Sequence, residues 1–185
     1  KMDADGNFVW AKSFGGIGVD SGNSLAIDGS GNVYTTGYFQ GSVDFDPNAG
    51  TSTLSSSGSY DIFVQKMDAA GNFIWAKNFG GTGNDDGRFL KADGSGSLYV
   101  TGYFEALADF DPNAGTTNLT SNGGYDIFVQ KMDTTGNFIW VSSFGGPSND
   151  VGNCISLFGL ENIYTTGYYE SMVDFDPSSS ATIFT

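Results

Sequence analysis

The sequence predicts an all-β fold, and three observations support that prediction. Glycine accounts for 28 of the 185 residues and aromatic residues for 15% of them, a composition typical of short strands joined by tight turns. The segment KMDADGNFVWAKSFGG, which begins at Lys1, returns with few changes at Lys66 and Lys131, so the repeat interval is 65 residues. No part of the repeat shows helical periodicity. The chain is therefore expected to be a tandem array of one β-rich unit.

Each repeat contains four segments with the composition of β-strands. In the first complete repeat these are residues 24–28, 32–39, 61–67 and 73–79. The connection DAAGN joins the last two and supplies a glycine where a hairpin needs positive φ. Four antiparallel strands per tandem unit are typical of β-propeller blades. A β-solenoid is the alternative, although its coils are usually much shorter than this repeat.

The repeat divides the chain into parts of one incomplete propeller domain. Residues 1–18 are expected to end one blade, residues 19–83 and 84–148 to form two full blades, and residues 149–185 to form the first half of a further blade. A propeller closes with about four to eight blades. We therefore expect a partial ring of about three blades within a longer protein, and a first residue other than Met fits a processed or excerpted chain.

The charge balance excludes several classes of partner. Lys and Arg total 7 against 21 Asp and Glu, which gives a net charge of −14. Such a surface repels nucleic acid and anionic membranes, whereas cations, Ca²⁺ above all, become plausible ligands. The absence of histidine removes the commonest general base and zinc ligand. The sequence also lacks an apolar run near 18 residues, so we expect no membrane insertion.

A paired-carboxylate motif occurs once per repeat, as VDFDP at Val43, ADFDP at Ala108 and VDFDP at Val173. Its carboxylates are Asp44, Asp46, Asp109, Asp111, Asp174 and Asp176. On an extended strand, residues two apart share a face at a spacing of roughly 6.6 Å, too far to chelate one ion unless the backbone bends. The motif therefore has two interpretations: the carboxylates cap backbone N–H groups, or they bind Ca²⁺. Catalysis is disfavoured, because an active site is a single asymmetric arrangement and this motif recurs in every repeat.

Other residues occupy the expected connections between blades. Asp20, Asp85 and Asp150 are equivalent and should form an acidic loop face, either a solvated rim or a surface that binds cations or ligands. The aromatic pairs at the end of the second strand favour inter-blade packing, with carbohydrate stacking as the alternative; they are Tyr38, Phe39, Tyr103, Phe104, Tyr168 and Tyr169. A further set breaks the repeat and is therefore of functional interest: Arg88, Lys91, Glu105, Glu161 and Glu170. Arg88 is the single arginine, and its neighbours Asp85 and Asp86 offer an ion pair.

Three motifs together carry a family resemblance. The segments GNVYTTGYF, VDFDP and YDIFVQKMDAAGNFIWAKNFGG resemble the SBBP-type beta-propeller repeat, which is found chiefly in secreted and surface proteins of bacteria. The resemblance implies a propeller fold, an extracellular or cell-surface bacterial location, and a large multidomain parent that in some cases is exported by the type IX route. It implies no catalytic residues. The last copy departs from the pattern where DGSGN becomes FGLEN.

The function expected from the sequence is non-enzymatic. The segment would serve as a scaffold or as an interaction module that presents a rigid acidic loop face to a protein or glycan partner, with the remaining blades of the same propeller as its neighbours. The alternative is part of a propeller enzyme, a lyase or glycosidase, whose active site lies in blades outside this sequence. A purely architectural repeat is the third hypothesis. The sequence does not predict the identity of the partner or an oligomeric state.

Overall fold

The chain folds into antiparallel β-strands. The computed structural model describes residues 1–159, 162–176 and 182–185, and within them no helix is long and apolar enough to cross a membrane. The strands are β1 (Ser21–Ile27), β2 (Val33–Phe39), β3 (Ser42–Asp44), β4 (Thr53–Ser55), β5 (Asp61–Met67), β6 (Phe73–Gly81), β7 (Asp86–Ala92), β8 (Leu98–Asp109), β9 (Asn118–Met132), β10 (Phe138–Phe144), β11 (Val151–Phe158), β12 (Asn162–Tyr168), β13 (Val173–Asp174) and β14 (Ile183–Phe184). The all-β prediction is confirmed.

Each complete unit is a four-stranded antiparallel meander. The first unit has the order β1-β2-β5-β6, and in the second unit β7, β8, β9 and β10 pair in sequence. The first strand begins at Ser21, three residues before the predicted position, and contains a bulge between Gly22 and Ser24. The two strands approach closely here, because a Cβ on Gly37 would collide with the carbonyl oxygen of Ser21. The sequence did not predict these three additional residues of the strand, because Ser-Gly-Asn has the composition of a turn.

A short hairpin lies in the connection between the second and third predicted strands. β3 pairs with β4 through Val43 and Leu54 in the first unit. In the second unit the same elements continue directly from the main strands, so that β8 and β9 are 12 and 15 residues long. The hairpin places the Asp-Phe-Asp-Pro motif at its first strand and just beyond it.

Backbone pairing joins consecutive units. The two glycines that end β6 pair with the motif of the next unit, Gly80 opposite Asp109 and Gly81 opposite Ala108. The same bridge joins Gly15 to Asp44, and Gly145 to Asp174. At Gly81 a side chain is excluded, because a Cβ there would collide with the backbone of β8. The motif is therefore part of the junction between units.

The apolar core lies between the units. Its largest cluster combines Tyr34 and Ile62 of the first unit with Leu90, Leu98 and Phe128 of the second. Equivalent positions show that burial depends on the neighbouring unit. Leu90 is only 1% exposed and Ile155 2%, whereas Leu25, which no unit covers within this chain, is 63% exposed. The opposite face of the last unit also lacks a neighbouring unit within this chain. There Tyr164 is 58% exposed, whereas its equivalent in the first unit, Tyr34, is fully buried.

Candidate functional site

The first carboxylate of each Asp-Phe-Asp-Pro motif accepts two backbone hydrogen bonds. Oδ1 of Asp44 accepts from the N–H groups of Asp46 at 3.1 Å and of Ser52 at 2.8 Å. Asp109 repeats this arrangement with Asp111 and Thr117, and Asp174 repeats it with Asp176 and Thr182. These bonds, the one from Ser52 foremost, lower the pKa of Asp44. The carboxylate thus closes the loop that links the two strands of the short hairpin.

The second carboxylate caps the turn that follows. Oδ1 of Asp46 accepts from the N–H of Asn48 at 2.8 Å, and Asp111 does the same for Asn113 at 3.0 Å. Ca²⁺ usually takes six to eight oxygen ligands. Within the described residues, no group of three or more Asp, Glu, His or Cys side chains is placed to hold a metal ion. Five of the motif carboxylates, Asp44, Asp46, Asp109, Asp111 and Asp174, therefore have a structural use that needs no ion, and Ca²⁺ binding by the six stays a prediction.

The phenylalanine of the motif packs into an aromatic cluster that spans two units. The ring of Phe45 lies 5.0 to 5.2 Å, centroid to centroid, from those of Phe14, Phe39 and Phe63, and Phe14 precedes the first complete unit. Outside the cluster, Lys12 Nζ donates to the Asn48 side chain at 2.7 Å, and Lys77 does the same for Asn113 at 2.9 Å. The motif as a whole therefore joins one unit to the next.

The three loop aspartates do not form a solvated acidic rim, which was one of the two interpretations of the acidic loop face. Asp85 and Asp150 are fully buried, and Asp20 is partly buried. Oδ2 of Asp85 accepts from the N–H of Gly81 at 2.7 Å, and its Oδ1 accepts from the N–H of Glu105 at 3.1 Å. The other two make equivalent pairs of bonds. The interpretation is corrected because the loops turn these carboxylates inward, where backbone N–H groups at the junction need acceptors.

A second buried carboxylate lies near each of two loop aspartates, Asp61 near Asp85 and Asp126 near Asp150. Burial, with a smaller contribution from the Asp61 charge, raises the pKa of Asp85 to about 7. Burial likewise raises the pKa of Asp126 to about 6, and the charge of Asp150 adds to this. The Oδ1 atom of Asp126 is buried without a hydrogen-bond partner. These junctions therefore hold carboxyl groups that take up protons near neutral pH.

The aromatic pairs pack within and between units. Phe39 and Phe104 are fully buried, so they cannot form an exposed stacking platform. Tyr103 stacks on Tyr125 with ring centroids 4.3 Å apart, and Tyr38 lies 4.9 Å from Tyr60. Phe39 and Phe104 are therefore packing residues, as one of the two interpretations predicted. Tyr38, in contrast, lines an open pocket beside the first strands of the units.

The first-strand polar cluster, which consists of Asn23, Asp86, Arg88 and Asn153, is the feature that departs from the repeat. Asn23 Nδ2 donates to Asp86 Oδ1 at 2.6 Å, and Arg88 Nε donates to Asp86 Oδ2 at 3.2 Å. Arg88 Nη1 donates to Asn153 Oδ1 at 3.4 Å, and the guanidinium lies 5.3 Å from the ring centre of Tyr103. Asp86 is 4% exposed, whereas the Arg88 side chain is 40% exposed.

The cluster lines a pocket of about 440 Å³ that also includes Ser21 and Tyr38. Sequence reasoning identified Arg88 and its ion pair, and Asp86 is the partner. It missed Asn23 and Asn153, although both lie 65 residues from Arg88 and thus at its equivalent positions in the neighbouring units. Since β1, β7 and β11 pack against one another in succession, these equivalent positions meet.

Comparison with known proteins agrees with this architecture. Residues 9–38 match the family model of the SBBP beta-propeller repeat. The chain is similar to the regulatory protein FlaEY of Caulobacter vibrioides, with 30% identity over 167 residues that cover 88% of this chain and 17% of that protein. It is also similar to the uncharacterized WD repeat-containing protein L264 of Acanthamoeba polyphaga mimivirus, with 33% identity over 193 residues that cover 92% of this chain and 14% of the relative. The predicted resemblance to the SBBP-type repeat and the β-propeller fold class are confirmed, and the chain spans less than a fifth of either relative.

Proposed function

Because the chain carries an SBBP-type beta-propeller repeat, we propose that it is a non-enzymatic scaffold or interaction module of a larger secreted or cell-surface bacterial protein. One observation carries the proposal. The carboxylates that recur in every unit accept hydrogen bonds from backbone N–H groups at the unit junctions, so the repeated chemistry builds a rigid frame. The extracellular location rests on the family resemblance.

The names of the relatives support a binding role in general terms. One is a regulatory protein and the other a WD repeat-containing protein. The similarity to each of them extends over most of this chain. The proposed partners are proteins or glycans. A net charge of −14 favours partners with a complementary basic surface and disfavours nucleic acid.

The nearest neighbours of the segment would be further blades of the same propeller. Leu25 and Ile27 are 63% and 62% exposed, while the equivalents of Leu25 are buried by the preceding unit. At the other face, Tyr164 and Tyr168 are 58% and 46% exposed. Each face thus has the side chains that the repeat uses elsewhere to pack one blade on another, and a further 65-residue unit would cover it.

The test uses the complete propeller of the parent protein together with this segment. Glycan-array binding and pull-down with purified surface proteins should detect a partner, and incubation with polysaccharides should release no new reducing ends or unsaturated products. Asp126→Asn is the control variant for chemistry, because Asp126 has a raised pKa and an unpartnered oxygen. Polysaccharide cleavage by the complete propeller would contradict the proposal and support the lyase or glycosidase alternative. Cleavage that Asp126→Asn leaves unchanged would place the active site in blades outside this sequence, whereas its loss in this variant would place it at Asp126.

A further inference from the structure

The first-strand polar cluster is a departure from the repeat that blade construction does not require. The position of Asp86 is Ser21 in the first unit and Val151 in the third, and the position of Arg88 is asparagine in both. All three units nevertheless form the same antiparallel pair with the same bulge, β1 with β2, β7 with β8 and β11 with β12. The charged pair is therefore unnecessary for the strand pairing. Replacing both members of a buried ion pair with well-packed apolar residues is often neutral for stability, so such a pair is weak evidence of a stabilising role.

The hydrogen bonds leave the outer edge of the guanidinium available. Both carboxylate oxygens of Asp86 are engaged, one by Asn23 and one by Arg88 Nε, and the group is almost fully buried. Its role is to fix the direction of Arg88. Arg88 Nη1 makes one long bond at 3.4 Å to Asn153, and the side chain also shares a hydrogen bond with Tyr103, while 40% of the side chain faces solvent. A guanidinium carries five N–H donors, so donors beyond the bonds to Asp86, Asn153 and Tyr103 remain for an incoming carboxylate.

The other residues that line the pocket suit a sugar ring that carries hydroxyl groups. Tyr38 contributes an aromatic side chain, and Ser21, Asn23 and Asn153 contribute hydroxyl and amide groups. A volume of about 440 Å³ lies within the range usual for small-molecule sites. Although the chain carries a net charge of −14, exposed charges beyond about 8 Å are largely screened at physiological ionic strength. Arg88 is the one cation among the residues that line the pocket, and the carboxylate paired with it, Asp86, is almost fully buried.

We propose that the first-strand polar cluster binds a uronic acid unit of an acidic glycan, with the sugar carboxylate on the Arg88 guanidinium. The ring packs against Tyr38, and its hydroxyl groups bond to Asn153 and to the side-chain oxygen of Asn23, whose amide hydrogens go to Asp86 and Gly87. This inference rests on the proposed binding function and names the ligand chemistry of one site. The aromatic side chain and the amides favour a sugar over the acidic side chain of a protein, which needs neither.

The experiment observes Arg88 directly. Since it is the single arginine, a ¹⁵N-labelled sample of the chain gives one side-chain Nε–Hε resonance. We expect glucuronate to shift this resonance saturably, glucose to leave it unchanged, and acetate and N-acetylglutamate to bind at least about tenfold more weakly. Equal effects of glucuronate and acetate would overturn the assignment, since they would indicate simple ion pairing. Tighter binding of N-acetylglutamate would overturn it in favour of a protein ligand.

The matched variant is Asp86→Ser with Arg88→Asn, which restores the residues that the first unit has at these positions. It should fold, as the first unit does, and should lose glucuronate binding as followed by backbone amide shifts of β7 and β11. Retention of binding would overturn the proposal. If this variant fails to fold, the wild-type titration still decides, because absence of any saturable shift by glucuronate would overturn it. The scaffold role would survive that result, since binding to other partners on the array is measured separately.

Discussion

Replacement of Asp109 distinguishes a capping carboxylate from a calcium ligand. Its Oδ1 atom accepts from the N–H of Asp111 at 3.0 Å and of Thr117 at 2.8 Å. A hydrogen bond to a charged group contributes about 1.5 to 3 kcal/mol, and the lower figure applies because Asp109 is only partly buried. Asp109→Ala should therefore reduce the free energy of unfolding by about 2 to 4 kcal/mol. Asp109→Asn keeps an acceptor oxygen, and we expect it to cost about 1 kcal/mol.

The assay is urea unfolding followed by tryptophan fluorescence, in EDTA and in millimolar Ca²⁺. Asp5→Ala is the control, because Asp5 is exposed, and surface changes of this kind usually stay within about 0.5 kcal/mol. Capping predicts the order wild type, Asn variant, Ala variant, with the same differences in both buffers. The reasoning would be refuted if Ca²⁺ stabilised the wild type alone and the Asn and Ala variants were equally weakened, since a ligand of the ion needs the charge.

Three further predictions concern the junctions between units. Phe110→Ala empties a fully buried position and should cost about 3 to 5 kcal/mol in urea unfolding, whereas Phe158→Ala, at a side chain 71% exposed, should cost well under about 1 kcal/mol. Asp85 has a pKa of about 7 in the folded protein against the ordinary 3.8, so protonated Asp85 stabilises the fold below about pH 4 and this stabilisation is lost as the pH rises through 7. The stabilisation is at most roughly 4 kcal/mol. Asp85→Asn should therefore flatten the pH dependence of the melting temperature between about pH 4 and pH 7. Gly81→Ala should separate β6 from β8 and lower the melting temperature strongly, whereas Gly94→Ala, with open space around its Cβ, should not.

Each of these predictions can fail in a recognisable way. Equal losses for Phe110→Ala and Phe158→Ala would mean that the cluster around Phe110 is not a packed core. A melting temperature whose pH dependence is the same in the wild type and in Asp85→Asn would show that Asp85 does not take up a proton on folding. A stable Gly81→Ala protein would contradict the close backbone approach between β6 and β8.

The strands and the repeat could be predicted because their signals are local or are counted along the chain. The 65-residue interval, the alternation of β-branched and aromatic residues, and the DAAGN turn all lie in the sequence itself. The short hairpin could not be predicted, since Val43 and Leu54 are its only apolar pair and a proline follows within a few residues. Two strands of three residues leave too short a pattern for period-two alternation to be recognised.

The sequence also could not predict that the side chains of Asp85 and Asp150 point inward. A loop aspartate beside glycines is usually exposed. The burial of Asp85 depends on two N–H groups, one from Gly81 in the preceding unit and one from Glu105 on the second strand of its own unit. Those partners meet only once the units are packed. Arg88 was recognised because it breaks the repeat, whereas its contact with Asn153 follows from the packing of β7 on β11.

Repetition therefore separates residues that build the fold from residues that can be free to bind. A carboxylate present in every unit, such as Asp109, has backbone partners at the same position in every unit, so its loss should change stability and leave glucuronate binding to the folded protein unchanged. The pair Asp86 and Arg88 occurs once, and its replacement by the residues of the first unit should abolish that binding and leave stability nearly unchanged. The two sets of variants thus predict opposite patterns in the same two assays. If the Asp109 and Asp86/Arg88 variants altered both properties together, the repeated frame and the unique cluster would be one coupled structure, and the division of roles between them would be wrong.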